Sequence, residues 1–239
     1  KKPRYDYYFR ILLLVLAVTI LISSFINFKI STVNMKVFII SIIAGCVLST
    51  MAISGDSSSI DMVDSAAAFV FIFFGKEAVI FFTLITTITS YILNSELFVR
   101  DKDNQKLIFN SAMLVIAAYS ASSVLQLIST SRFQYNLAIS IDSIIFVFTF
   151  LFMNLLIFIT DFRIREGKWT LLSNDDINLL GLNFFLSSIL SIIQCMAYKS
   201  SGILGLVLVF VSLIVIQLCL ALYKKLKDRN SSINGLLNI

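Results

Sequence analysis

Residues 203–223 read ILGLVLVFVSLIVIQLCLALY and contain no charged side chain. A helix needs about 20 mostly apolar residues to cross the roughly 30 Å hydrocarbon core of a bilayer, and this stretch meets that requirement. Of the 239 residues in the chain, 58% are apolar and only 14% are charged, and the mean hydropathy is +0.93. A water-soluble fold of this size cannot bury so much apolar surface. The sequence therefore predicts an integral membrane protein.

Other apolar runs of similar length predict further spans at 11–28, 35–53, 107–128, 137–160 and 177–198. The region 60–94 has two interpretations, one long span or two shorter helices hinged at Gly75-Lys76-Glu77. A charged pair in the middle of one long span would be costly, which favours two helices. We expect an all-α polytopic membrane protein with seven to eight transmembrane segments, two of them short and hinged near Gly75.

The distribution of basic residues favours eight crossings. With both termini inside, 14 of the 19 Lys and Arg residues fall on the cytoplasmic side, as the positive-inside rule requires. Seven crossings with the N-terminus outside place 13 inside, so the margin between the two arrangements is a single lysine, Lys76. We expect a multi-pass cell-membrane protein in which residues 1–225 form one helical transmembrane domain and both termini are cytoplasmic.

The residue types argue against catalysis. The chain has no histidine, which removes the commonest general base and metal ligand. Its three cysteines lie in apolar runs without C-x-x-C spacing, and no nucleotide-binding or nucleophile-elbow motif is present. We therefore expect no enzyme activity, no catalytic or metal-binding residue, no cofactor and no nucleic-acid partner; the lipid bilayer is the expected partner.

Polar side chains inside the predicted spans are the candidates for function. Amides and hydroxyls in lipid commonly bond between helices, but they can also line a pocket for a small polar ligand. Asp142 is the one acid well inside an apolar span, about one turn from its end. The predicted ligand-binding residues are Asn110, Asp142, Asn154 and Asn183.

Three further acids, Asp56, Asp61 and Asp64, precede the short span in a serine-rich segment without Lys or Arg. Acids three positions apart share a helix face and can bind a cation. The favoured interpretation is a solvated helix start, with the acids at the positive end of the helix dipole.

A resemblance to a known family rests on AAAFVFIFFGKEA at 66–78, KLIFNSA at 106–112 and the mid-helix asparagine in FMNLL at 152–156. These stretches resemble the multi-span N-terminal regions of bacterial signalling proteins that carry cytosolic HD-type phosphodiesterase or GGDEF cyclase domains. Lys76 stands where that family often has proline. The resemblance implies a non-catalytic sensory and anchoring module that relays a signal to a cytosolic output domain of cyclic-dinucleotide type.

A second resemblance is to the S component of energy-coupling-factor transporters, the substrate-binding membrane subunit for vitamins. The alanines at 66–68 and 117–118 suit such a site. The number of predicted spans exceeds the six of that family, and the C-terminal extension has no use there.

The last residues, 226–239, are expected to form a cytoplasmic helical extension or linker. Leu222, Leu226, Ile233 and Leu237 recur at spacings of four, seven and four, near a heptad pattern. Such a stripe favours packing against a second copy of the chain, as a homodimer, or against a following domain. The alternative is an amphipathic tail on the membrane surface, weakened as a helix by Gly235.

Overall fold

The computed structural model describes residues 5–29, 34–51, 53–54, 59–60, 62–93, 104–128, 135–166 and 174–237. Its elements, in chain order, are α1 (Tyr5–Asn27), α2 (Met35–Thr50), β1 (Ile53–Ser54), β2 (Ser59–Ile60), α3 (Val63–Phe74), α4 (Lys76–Leu93), α5 (Asn104–Leu127), α6 (Tyr135–Glu166) and α7 (Asn174–Leu237). The strands form a two-residue antiparallel ribbon. The predicted all-α membrane fold is confirmed, with this short ribbon as its one addition within the described residues.

Five helices are long and apolar enough to cross a membrane, and α2 and α3 are shorter apolar helices. The last of the five, Ile177–Tyr223, contains a break at Gly202, whose φ of 61° and ψ of −142° are not helical. We call residues 174–201 α7a and residues 203–237 α7b. The break makes eight helical segments in the described chain, in agreement with the predicted seven to eight.

The break at Gly202 reverses the direction of the chain. A Cβ atom placed on Gly205 would lie 2.4 Å from the carbonyl oxygen of Ala197, although eight residues of continuous helix span about 12 Å. Phe69 also contacts both Tyr198 and Phe210, at ring-centroid distances of 5.6 and 6.4 Å. α7a and α7b therefore form a helical hairpin, as expected for two separate spans.

The predicted hinge at Gly75 is also present. Gly75 ends α3 with a φ of 85°, and its N–H donates to the carbonyl oxygen of Phe71. α3 is 12 residues long and α4 is 18, so one long span is ruled out. Lys76 lies at the tip of this reversal, where its ammonium donates to Ser123 Oγ at 3.1 Å and lies 3.7 Å from the centroid of the Tyr119 ring.

Contacts at the helix ends show that the segments alternate in direction. At one end of the bundle, Arg10 in the first turns of α1 forms a salt bridge of 2.9 Å with Asp161 near the end of α6. At the other end, Lys199 of α7a donates to Asn136 at the start of α6, over 2.7 Å. We call these the Arg10 end and the Lys199 end. α1 begins and α7b finishes at the Arg10 end.

α3 lies in the centre of the bundle and packs against α2, α4, α6 and α7. Five consecutive residues, 66–70, are at most 2% exposed, so this part of the helix is buried on every side. Its three consecutive alanines, 66–68, let neighbouring helices approach closely, and Phe69 contacts both arms of the α7 hairpin. A helix enclosed by protein does not need the full membrane thickness, which explains how 12 residues suffice.

Candidate functional site

α3 begins beside the interior of the apolar segment Ile177–Tyr223 of α7. Asn183, six positions after the first residue of the span Ile177–Tyr223, donates from Nδ2 to Asp64 Oδ2 at 3.0 Å. Gln217, six positions before the last residue of that span, donates from Nε2 to the carbonyl oxygen of Met51 at 3.1 Å. At 1.5 Å per residue, six positions correspond to about 9 Å, so Asn183 and Gln217 each lie about 9 Å from an end of this apolar segment. The end of α2 and the first turn of α3 therefore lie beside the interior of this apolar segment and not beside its ends.

Two pairs of polar side chains link the first turn of α3 to α7a, at levels about 16 Å apart along α7a. Asp64 is partly buried and accepts from Asn183, whose Oδ1 accepts from Ser187 Oγ at 3.4 Å. One residue further along α3, Ser65 Oγ accepts from Gln194 Nε2 at 3.2 Å and donates to the carbonyl oxygen of Met62 at 2.7 Å. We name these residues the α3 polar cluster: Asp64, Ser65, Asn183, Ser187 and Gln194.

The sequence of α7a explains why these side chains point inward. Asn183, Ser187 and Gln194 recur at helical spacing and are 3%, 1% and 0% exposed. The opposite face carries Phe185 and Ile193, which are 59% and 45% exposed. α7a thus presents an apolar face outward to lipid and a polar stripe toward α3, the reverse of a helix on a water-soluble protein.

Hydrogen-bond acceptors are in excess in and beside the cluster. Gln194 Oε1 has no hydrogen-bond partner among the described residues, and neither has Gln217 Oε1 next to the ribbon; both side chains are 0% exposed. Buried polar groups nearly always have partners, and an unpartnered one costs about 1–3 kcal/mol. The site can therefore accept hydrogen bonds or coordinate a positive charge at these oxygens.

The surrounding sequence adds no positive charge. No Lys or Arg occurs between Lys36 and Lys76, between Lys168 and Lys199, or between Lys199 and Lys224. The N-terminus of α3 contributes roughly half a positive charge through its dipole, which favours a carboxylate such as Asp64 in its first turn.

Of the four predicted ligand-binding residues, Asn183 lies in the cluster. Asn110 is partly buried on α5, and Asp142 and Asn154 are partly buried on α6. Asp142 and Asn154 are 12 positions apart on one helix, which separates them by about 18 Å, so a single small pocket cannot include both. Of the three acids before α3, Asp56 and Asp61 lie outside the described residues.

The hydroxyl groups of α4 make two kinds of hydrogen bond, one to a neighbouring helix and one to their own helix. Ser90 Oγ crosses from α4 to the carbonyl oxygen of Ser49 on α2, as expected for interhelical bonding. Thr83 and Thr86 instead donate to carbonyl oxygens of their own helix. Hydroxyls in helices often bond their own backbone in this way, which satisfies them without a neighbour.

Sequence analysis missed the link between Arg10 and Asp161. Arg10 donates through Nε and Nη2 to the two carboxylate oxygens, each at 2.9 Å, and its guanidinium lies 5.1 Å from the centroid of the Phe109 ring. Asp161 is 4% exposed, so a buried carboxylate ties α6 to α1. No local pattern in the sequence specifies this pair.

The fold and the buried site define a polytopic helical membrane protein with a polar centre. A comparison with protein-family models matches MASE9 over residues 76–223, more than half of the chain. The chain belongs to the MASE9 family of membrane-associated sensor domains. No curated protein and no solved structure matches it.

Proposed function

We propose that this membrane sensor domain relays its signal through α7b to a cytosolic output domain that makes or degrades a cyclic dinucleotide. Membership of a sensor family supports the sensory role. It also favours the sensor over a vitamin-transporter subunit. We propose further that the chain itself is non-catalytic and that its termini are cytoplasmic.

The main observation in support of the proposed signal relay is the length of α7b. The apolar span finishes at Tyr223, but the helix continues to Leu237, which adds 14 residues and about 21 Å. Leu222 and Leu226 are 52% and 64% exposed on this helix. Ile233 and Leu237 continue their stripe in the sequence. A helix that leaves the membrane with an apolar stripe can transmit a rotation or shift to whatever it packs against.

We propose that the stripe packs against the same stripe of a second copy, forming a parallel homodimer. A heptad-spaced seam buries apolar side chains that water would otherwise surround. Changes in the bundle around α3 can reach this seam directly, since α7b is also one wall of the bundle.

The test inserts residues into α7b of the full-length protein, so that the part of the helix after the insertion is rotated about its axis. Insertion of four residues after Lys227 rotates the following helix by about 40° relative to whole turns, whereas insertion of seven residues nearly restores the heptad phase. We expect the four-residue insertion to change the cellular level of cyclic dinucleotide, measured by mass spectrometry, and the seven-residue insertion to restore it. Equal levels in all variants, including one without the membrane domain, would contradict the proposal.

A further inference from the structure

We infer that Gln217 holds α7b in its signalling position through its hydrogen bond to the backbone at the end of α2, and that breaking this bond changes the output. The bond joins Gln217 Nε2 to the carbonyl oxygen of Met51, the residue that follows α2, over 3.1 Å. The inference rests on the relay proposed above, and it names the contact through which the bundle acts on α7b.

The first argument is the position of Gln217 on α7b. Four residues at spacings of four, three and four face the bundle and are at most 2% exposed: Leu206, Phe210, Leu213 and Gln217. Among the residues of α7b whose side chains are described, none after Gln217 is buried, and residues 222, 223 and 226 are more than half exposed. Gln217 therefore lies where α7b leaves the bundle, and the helix continues for about 30 Å to Leu237.

The second argument is that the end of α2 needs hydrogen-bond donors from other helices. The last carbonyl groups of a helix have no partner within the helix, and away from water each needs one elsewhere. The carbonyl oxygen of Ser49 accepts from Ser90 Oγ of α4 at 3.0 Å. The carbonyl oxygen of Met51 accepts from Gln217 of α7b. Gln217 thus supplies a donor that the end of α2 requires.

The third argument is that this bond is directional, whereas the other buried contacts of α7b are not. Leu206, Phe210 and Leu213 pack through apolar surface, and the hydrophobic effect has no preferred direction. A hydrogen bond weakens steeply when its donor and acceptor are out of line. A rotation or slide of α7b that the apolar contacts tolerate therefore breaks the bond between Gln217 and Met51.

The fourth argument is that the bond is held weakly enough to be switched. Gln217 is 0% exposed, and its Oε1 has no hydrogen-bond partner within the described part of the chain. A buried oxygen without a partner opposes part of the stabilisation that the Nε2 bond contributes. A modest change in the packing of α2 against α7b is then sufficient to make or break the contact.

The experiment compares two variants of the full-length protein in its native membrane. Gln217→Met removes the donor while it keeps a long side chain, and Gln217→Asn, which is shorter by one methylene group, replaces it if Gln217→Met does not fold. Ser90→Ala is the matched control, because it removes a side-chain hydrogen bond at the same end of α2 without altering α7b. We expect Gln217→Met to change the cellular level of cyclic dinucleotide about threefold, the factor that corresponds to one interhelical hydrogen bond, and Ser90→Ala to leave it unchanged.

A second measurement does not depend on the output domain. Spin labels on cysteines introduced at Lys106 and Leu226, both exposed, report the distance between the start of α5 and the outer part of α7b. The three native cysteines are replaced by alanine, and labelled chains are diluted with unlabelled chains in nanodiscs. We expect Gln217→Met to shift or broaden the distance distribution measured by pulsed EPR, and Ser90→Ala to preserve it.

The two measurements separate this inference from the relay on which it rests. An unchanged distance distribution in folded Gln217→Met would overturn the inference, as would equal changes in Ser90→Ala. An unchanged output in Gln217→Met would also overturn it if the four-residue insertion in α7b does change the output. If the distance changes but neither Gln217→Met nor the insertion alters the output, the relay is wrong and the positioning of α7b by Gln217 is retained.

Discussion

Asp64 and Asn183 are 119 positions apart in the chain and are joined by one hydrogen bond of 3.0 Å. Asn183 could be selected from sequence because an amide in an apolar span has few uses besides interhelical bonding or ligand binding. Its partner could not, because Asp64 has the pattern of an ordinary helix start with acids at the dipole. In the structure Asp64 does lie in the first turn of α3, and what the pattern could not supply is its partner on α7a.

The partner of Gln194, and the pairing of Arg10 with Asp161, could not be predicted from the sequence either. Periodicity tells which side chains share a helix face, but not which helix lies opposite. Pairing across 129 and 151 positions depends on the packing order of the helices, which no local pattern contains.

At the residue scale, we predict that Asn183→Leu destabilises the protein more than Asn154→Leu. The first change removes a buried bond to a carboxylate, and hydrogen bonds to charged groups contribute about 1.5–3 kcal/mol. Asn154 is only partly buried, and its replacement should cost about 0.5 kcal/mol, as is usual for polar contacts in membrane helices.

The measurement is the melting temperature of each variant in the same detergent. Equal shifts for the two variants would contradict a special role for the bond to Asp64. A normal melting temperature with loss of a ligand response in Asn154→Leu would instead favour the ligand-binding role expected for that residue from sequence.

At the scale of elements, the sequence predicted the break at Gly75 correctly, because a glycine beside a charged pair is incompatible with mid-membrane helix. It also separated the spans on either side of Gly202. The region before α3 was different. Its serines and acids resemble a solvated loop, and the structure places the two-residue strands of this region beside α7. Composition alone does not specify that contact, because it depends on how the helices pack.

We predict that replacing the glycines of α7 by alanine changes the stability of the protein by different amounts at different positions. At Gly205, a Cβ would lie 2.4 Å from the backbone oxygen of Ala197, so Gly205→Ala should force the two arms apart and cost about 1–3 kcal/mol. At Gly202, the φ of 61° disfavours any L side chain, at a cost of similar size. Gly181→Ala is the control, because nothing lies within 4 Å of its Cβ position, and it should preserve or raise stability.

Thermal unfolding of the three variants provides the comparison. If Gly205→Ala melts at the same temperature as Gly181→Ala, the close approach of α7a and α7b is wrong. If Gly202→Ala alone is neutral, the chain does not reverse at that residue.

At the scale of the whole molecule, the alternation of eight segments could be anticipated because charge counting relates each loop to a side of the membrane. The Arg10 end gathers both the first turns of α1 and the C-terminal part of α7b, together with Asp161. Charge counting cannot order the helices around α3, however, since every arrangement of the same eight segments gives the same count.

The last prediction concerns the orientation of the bundle. We expect the Arg10 end to face the cytoplasm, because the eight-segment arrangement puts 14 of 19 basic residues on that side, where anionic lipids and the membrane potential favour them. Reporter fusions after Asn104 and Asn230 should then be active only as cytoplasmic reporters, and a fusion after Ser201 only as an external one. The fusion after Asn230 is the sharpest of the three, since it lies beyond both arms of α7 and would become external if α7 crossed the membrane once instead of twice. An external reporter after Asn104 would show that the bundle is inverted or that α3 and α4 do not form two separate crossings.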